Sequence, residues 1–261
     1  RDGPRARVAG LEEPERYLSR RPGLVGLHAS FTVSDGLLKR AVELTRAHGT
    51  GLHVHVAEGP EDQALCLRRH GERVLERFAS AGALESSRTL LAHGLHLNAA
   101  ERRLFRDSPA WLVQNPESNR NNGVGELAAE GLGDRILLGT DGMHGDMLTS
   151  ARAAYLAGCA RGSMTPRQSA RRLRRAHDYL QTNGFTGDGS NNLVVLDYQP
   201  PTPVTAENWE AHLAYGLGAA HVESVVSQGR LIVEGRRMTR LDEEKTRAFT
   251  RRQAERLWQK L

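Results

Sequence analysis

Two apolar patterns alternate along the first two thirds of the chain. Short apolar runs end in polar residues, and between them apolar positions recur at the spacing of an amphipathic helix. Residues 24–28 form the first run. Ser34-Asp35 then offers a helix start, with Leu37, Leu38, Ala41, Val42 and Leu44 on one helical stripe. Gly49-Thr50-Gly51 breaks that helix before a strand over residues 52–56. Residues 61–81 read as one helix with Leu65, Leu67, Val74, Leu75 and Phe78 as its stripe. Strands are predicted over 89–92, 111–114 and 136–139, and helices over 99–107 and 147–159. A Gly- and Asn-rich loop separates Gln114 from residues 127–130.

This series of βα units predicts an α/β fold with a parallel sheet. Strands this short and apolar predict burial on both faces. The polar residues collect at the C-terminal ends of the strands: His28, then His55 with Glu58, then His93, Asn115 and Asp141. That edge lines the site in a (β/α)8 barrel and in a doubly wound sheet alike, so the pattern leaves both open.

The last third differs. Residues 192–198 form a strand, and Pro200-Pro201-Thr202-Pro203 a stiff connection. Strands over 222–226 and 230–233 flank Ser227-Gln228-Gly229, a hairpin signal. Residues 242–261 read as a charged amphipathic helix. The expected divisions are 1–185, an α/β domain; 186–240, a small β element; and 241–261, a terminal helix.

Composition narrows this reading. The 261 residues are 39% hydrophobic and 26% charged, an ordinary globular balance. No apolar stretch has the length of a membrane span, and no apolar leader is visible at the start. The lack of a starting Met hints at trimming or truncation. Two cysteines, Cys66 and Cys159, make neither a metal-type pair nor a disulfide framework, which fits a reducing, cytoplasmic setting. The net charge of +5 owes much to arginine, densest at Arg171-Arg172-Leu173-Arg174-Arg175. No aromatic RNA-binding signature or zinc finger accompanies that run, so it reads as a solvated helix face. We expect neither a nucleic-acid nor a membrane partner; a homo-oligomer stays open.

The chemistry centres on His53-Val54-His55-Val56-Ala57-Glu58. Residues two apart on a strand share a face, so both imidazoles could chelate one metal, and Glu58 could move protons beside it. The alternative is packed core histidines. His93 ends a strand, and Gly94 lets the backbone turn sharply after it; His96 falls in the loop. Asn115, Ser118 and Asn119 could orient a substrate or serve only as turn residues. Asp141 ends an apolar strand, where a carboxylate is costly to bury unless paired or metal-bound. His144 in the next loop, and His28, are candidate substrate contacts.

These stretches (LHASFTVSDGLL, HVHVAE, LLAHGLHL, VQNPESN and LLGTDG) together resemble the amidohydrolase superfamily, in particular its chlorohydrolase and aminohydrolase branch of cytosine- and guanine-deaminase type. NLVVLDYQPPTP and VVSQGRLIVEGR resemble that branch's C-terminal sandwich strands, and VAEGPED with GTDGMHGDML is similar to SsnA-type aminohydrolases. The resemblance implies a partial (β/α)8 TIM barrel, about strands four to eight, plus strands of a small β-sandwich and a terminal helix. It implies His55 and Asp141 as metal ligands, with His93 a further one or a group that holds the attacking water. Glu58 becomes a proton shuttle, Asp141 also a general base, and His28 a substrate contact; His53 falls to a neighbour. The implied cofactor is a divalent metal, Zn2+ first, with Fe2+ or Mn2+ as alternatives, and the implied substrate a small molecule. The H-x-H pair of the family's first strand is absent here, since His53-Val54-His55 follows a full βα unit and precedes the fifth-strand Glu. The chain is then expected to be the C-terminal portion of a metal-dependent hydrolase of non-peptide C–N bonds.

Two other readings stand beside this one. A truncated chain could be catalytically silent, a scaffold or oligomerisation partner, because zinc enzymes use about three protein ligands or more. A doubly wound nucleotide-binding protein would need a G-x-G-x-x-G or Walker A loop, and the sequence has neither.

Overall fold

The computed structural model describes residues 3–162, 164–187 and 189–260. Leu261, the end of the expected last helix, lies outside them. In chain order come α1 (Gly3–Leu18), β1 (Val25–Ala29), α2 (Asp35–Ala47), β2 (Leu52–Val56), α3 (Pro60–His70), α4 (Val74–Ser80) and β3 (Leu90–His93). Then follow α5 (Ala99–Asp107), β4 (Trp111–Gln114), α6 (Pro116–Asn121), β5 (Ile136–Leu138), α7 (Met147–Ala160) and α8 (Pro166–Thr182). The last part holds β6 (Leu193–Leu196), α9 (Trp209–Tyr215), β7 (Val222–Ser227), β8 (Arg230–Glu234), β9 (Arg237–Met238) and α10 (Glu243–Trp258).

Local chemistry accounts for the boundaries. Ser34 caps α2, its hydroxyl accepting from the Leu37 amide. The single helix expected over 61–81 is two helices. Gly71 takes the left-handed conformation at φ 71° and ends α3, and the chain restarts after Arg73. The loop expected after Gln114 contains a short helix, α6, which opens with Pro116 in its first turn. Helix α8 starts with a capping box between Thr165 and Gln168.

The first sheet is parallel with the strands in sequence order, β1-β2-β3-β4-β5. The α/β class with a parallel sheet is therefore as expected. Its main core lies on one face, where Leu52, Val54, Leu91, Leu112 and Ile136 meet Leu38, Leu75, Phe78 and Phe105 from the helices. Fully burying a side chain of this size contributes roughly 1.5–3 kcal/mol. The other face departs from expectation. β1 and β2 alternate buried and open positions rather than being buried on both sides, and His53 is exposed. Only toward β4 and β5 is that face covered, where Trp111 and Leu137 pack against Tyr179. There the Tyr179 hydroxyl donates to the Arg88 carbonyl at 2.9 Å, and the Arg88 guanidinium lies over the Phe185 ring.

The second sheet, β6-β7-β8-β9, is antiparallel. The β7–β8 turn has Gln228 at φ 52° and Gly229 at φ 73°, the two left-handed residues of a tight hairpin turn. Arg152 of α7 ties α9 to the first sheet's helices by donating to the carbonyls of Ala214 and Leu217 at 3.1 and 2.6 Å. Among the described residues, no helix is long and apolar enough to cross a membrane.

Candidate functional site

The parallel register sets Val56 of β2 opposite His93 of β3, and Gln114 of β4 opposite Leu138 of β5. The strands thus deliver their last residues to one edge. There the backbone turns through left-handed conformations at three non-glycine residues: Ala57 (φ 48°), His93 (φ 74°) and Asp141 (φ 53°). Each costs on the order of 1–3 kcal/mol and persists only where its surroundings enforce it. The enforcing bonds are visible. Gly94 donates to Val56 O at 2.9 Å, and the amides of Leu95 and His96 both donate to Ala57 O at 3.1 Å. The Ala57 amide itself donates to Asp62 Oδ2 at 2.8 Å. At β5, Gly139 is required because a Cβ there would stand 2.4 Å from Asn115 Oδ1 and 2.8 Å from Val113 Cγ1.

These turns bring together Glu58, His93 and Asp141. One potential ligand atom from each lies within 4.8 Å of the others. His93 Nε2 is 3.6 Å from Glu58 Oε2 and 3.9 Å from Asp141 Oδ2. His93 is almost fully buried, and both carboxylates are partly open, so the cluster faces outward from a fixed base. His55 is outside this tight group. Its ring centroid is 5.2 Å from that of His93 and 5.5 Å from that of His28, making a row of three imidazoles along the strand ends. His28 also meets the Thr32 hydroxyl at 3.1 Å.

Helix α6 supports the cluster from beneath. The Ser118 hydroxyl donates to Asp141 Oδ2 at 2.6 Å, and Asn119 Nδ2 is 3.0 Å from His93 Nδ1. The sequence offered these two as substrate-orienting or turn residues; they hold the cluster's own side chains. The Asn-Pro step before α6 was the available signal, a helix start with Pro in its first turn. Asn115 is buried at the start of that helix. His144 sits in the β5–α7 loop with Nε2 2.9 Å from Glu117 Oε2. Its Nδ1 accepts from the Asp146 amide at 3.1 Å, which puts the ring proton of the neutral form on Nε2. His96 has a structural partner, the Val124 carbonyl at 3.0 Å.

The electrostatics favour ligand-ready forms. Burial, and then the neighbouring His93, pull the His55 pKa below its usual value, which keeps that imidazole neutral. The Ser118 hydroxyl holds the Asp141 carboxyl below the usual carboxylate range against the effect of burial, and the Gly142 amide adds to this. Asp62 behaves oppositely: burial pushes its pKa up to about 6.

Imidazole and carboxylate side chains are a donor set that suits Zn2+, Fe2+ or Mn2+. Fold and site together define an α/β protein with a candidate divalent-metal centre at the C-terminal edge of a parallel sheet. Residues 15–174 match the Amidohydrolase family, and the chain belongs to it. A 5-methylthioadenosine/S-adenosylhomocysteine deaminase of Pelotomaculum thermopropionicum is 28% identical over 249 residues, covering 90% of this chain and 57% of the relative. A 5'-deoxyadenosine deaminase of Methanococcus maripaludis is 26% identical over 244 residues, 87% of this chain and 57% of the relative. The chain thus spans little more than half the length of these relatives. An adenosine deaminase from Xanthomonas campestris, crystallised with bound zinc, superposes with a TM-score of 0.83 at 22% identity, over 97% of this chain and 62% of that one. That likeness shows a shared fold.

Proposed function

We propose that this chain carries the proton-transfer half of a metal-dependent aminohydrolase. The reaction replaces an amino group on a small heterocycle by oxygen: R–NH2 and water give R–OH and ammonia, and the hydroxyl proton moves to a ring nitrogen to leave the carbonyl form. The observation that carries this reading is the convergence of Glu58, His93 and Asp141 on one point at the C-terminal edge of the sheet. The deaminase names of the relatives point to 6-aminopurine nucleosides as the substrate class.

In this reading, β1–β5 are strands four to eight of a (β/α)8 barrel. Residues 1–185 belong to that barrel, 186–240 to a small β-sandwich and 241–261 to a terminal helix. The in-order parallel sheet and the superposition on a longer chain of shared fold support it. Asp141 and His55 hold the ion, Zn2+ by preference. The ion's contribution is Lewis-acid activation of water. Asp141, kept ionised by Ser118, accepts the water's proton. Glu58, on a mobile-length side chain past the strand end, carries protons between water and the departing amine. His93, fixed by Asn119, would use Nε2 to hold the attacking water. His28, Asn115 and His144 contact the substrate.

Two measurements test this. Zn2+ titrated into the chain should bind, and Asp141→Ala should abolish binding; binding indifferent to Asp141→Ala overturns the metal assignment. Ammonia release from 5'-deoxyadenosine, measured with the zinc-loaded protein and lost on chelation, tests the reaction. A chain that binds zinc through Asp141 yet releases no ammonia from any 6-aminopurine nucleoside would favour the catalytically silent reading. No name among the relatives reported above supports a scaffold role.

A further inference from the structure

We propose that a cavity in the helical layer, between α7, α8 and the loop over residues 127–134, is a binding site for a phosphoryl oxyanion. Its volume is about 310 Å3, at the lower end of the roughly 300–1,000 Å3 of ligand pockets. Arg161, Arg171, Arg172 and Arg175 line it, against the carboxylates Glu130 and Asp134. None of Glu58, His93 and Asp141 takes part, so the site is separate from the metal cluster.

The arginine run of α8 is therefore not simply a solvated face. Helical spacing turns Arg171, Arg172 and Arg175 toward the cavity, while Arg174 points to water. Arg175 is paired with Asp134. Arg172 is the unusual member. Its Nη1 donates to the neutral amide oxygen of Gln114 at 2.5 Å, and its Nε is buried with no hydrogen-bond partner. A buried donor left unpaired costs on the order of 1–3 kcal/mol, more when the group is charged. Burial first, and then Arg175, lower the Arg172 pKa to about 10, so the guanidinium stays charged at neutral pH. Four cations against two carboxylates leave two positive charges over. A phosphoryl group carries about −1.5 to −2 at neutral pH, with oxygens enough for several guanidinium forks. A carboxylate would leave part of that charge and most of those donors unmatched.

The test uses metal-free full chain, so that no phosphate is held at the cation centre. Inorganic phosphate and glycerol 2-phosphate are titrated calorimetrically in chloride buffer of matched ionic strength. Saturable single-site binding is expected, weakened about tenfold or more by Arg172→Gln, as the loss of a charged hydrogen bond requires, and unchanged by Arg247→Gln on α10. Arg161→Gln, at the open rim, should weaken it in the same direction and serves if Arg172→Gln does not fold. Binding of both anions assigns the site to the phosphoryl group itself. Binding of the ester alone assigns it to an organic phosphate, and of the inorganic ion alone to free phosphate. No saturable binding, equal binding in the arginine variants, or equal competition by acetate would overturn the proposal.

Discussion

The Ser118 hydroxyl donates to Asp141 Oδ2 across 2.6 Å. It is the leading reason that the Asp141 carboxyl stays below the usual carboxylate range. Outer partners of metal ligands typically matter by about 10–100-fold in metal affinity or activity. Ser118→Ala should weaken zinc binding by about that factor, and competition with a chromophoric chelator would read it.

Asn119 acts on His93 in the same way, at 3.0 Å from Nδ1. Asn119→Ala removes the partner without adding bulk at this buried position. We expect kcat to fall about tenfold or more while KM changes little, since the amide touches the imidazole and not the substrate. A loss confined to KM would contradict that placement.

In the proposed scheme Glu58 moves the protons. Glu58→Gln preserves shape and hydrogen bonding but cannot ionise, and kcat should drop by about 100-fold to 10,000-fold. Zinc stoichiometry should be unchanged, because in the proposed scheme His55 and Asp141 hold the ion. Metal lost along with activity would instead make Glu58 a ligand.

Asp62 gives a pH signature. Its folded pKa of about 6 lies above the usual carboxylate value of 3.8, because burial disfavours the charge. A carboxyl raised on folding binds its proton more tightly in the native state. Stability from this group is therefore greatest below about pH 4 and falls as pH climbs toward about 6, by about 3 kcal/mol in all. Asp62→Asn still offers an oxygen to the Ala57 amide. In urea titrations it should match the parent near pH 4 and exceed it by an amount of that order at pH 7.5.

Gly139 is a steric requirement. Gly139→Val would drive a side chain into Asn115 Oδ1 and Val113. Overpacking of this kind costs typically about 1–3 kcal/mol. A lower thermal midpoint with reduced activity is expected.

The strands and the cluster were legible because both rest on local signals. Runs such as 24–28 and 111–114 are short and apolar, and each ends in a polar residue. Glu58, His93 and Asp141 each stand just past such a run, where chain order alone predicts a shared edge. Three things were not legible. The split at Gly71 depends on one residue reaching φ 71°, which no apolar period encodes. The open face of β1 and β2 follows from what packs against the sheet, not from the strands' own composition. The roles of Ser118 and Asn119 depend on contacts across 23 and 26 residues of chain, and their types suit turns equally well.

Because Ser118 and Asn119 are consecutive, a single peptide segment registers the site's acid and its imidazole together. A one-residue insertion or deletion between Asn115 and Ser118 would rotate both side chains about the helix axis at once and detune both partners in one step. In a lineage of such proteins, this stretch should therefore change by substitution and almost never in length, even where the loop just after it, over residues 122–134, is free to grow or shrink.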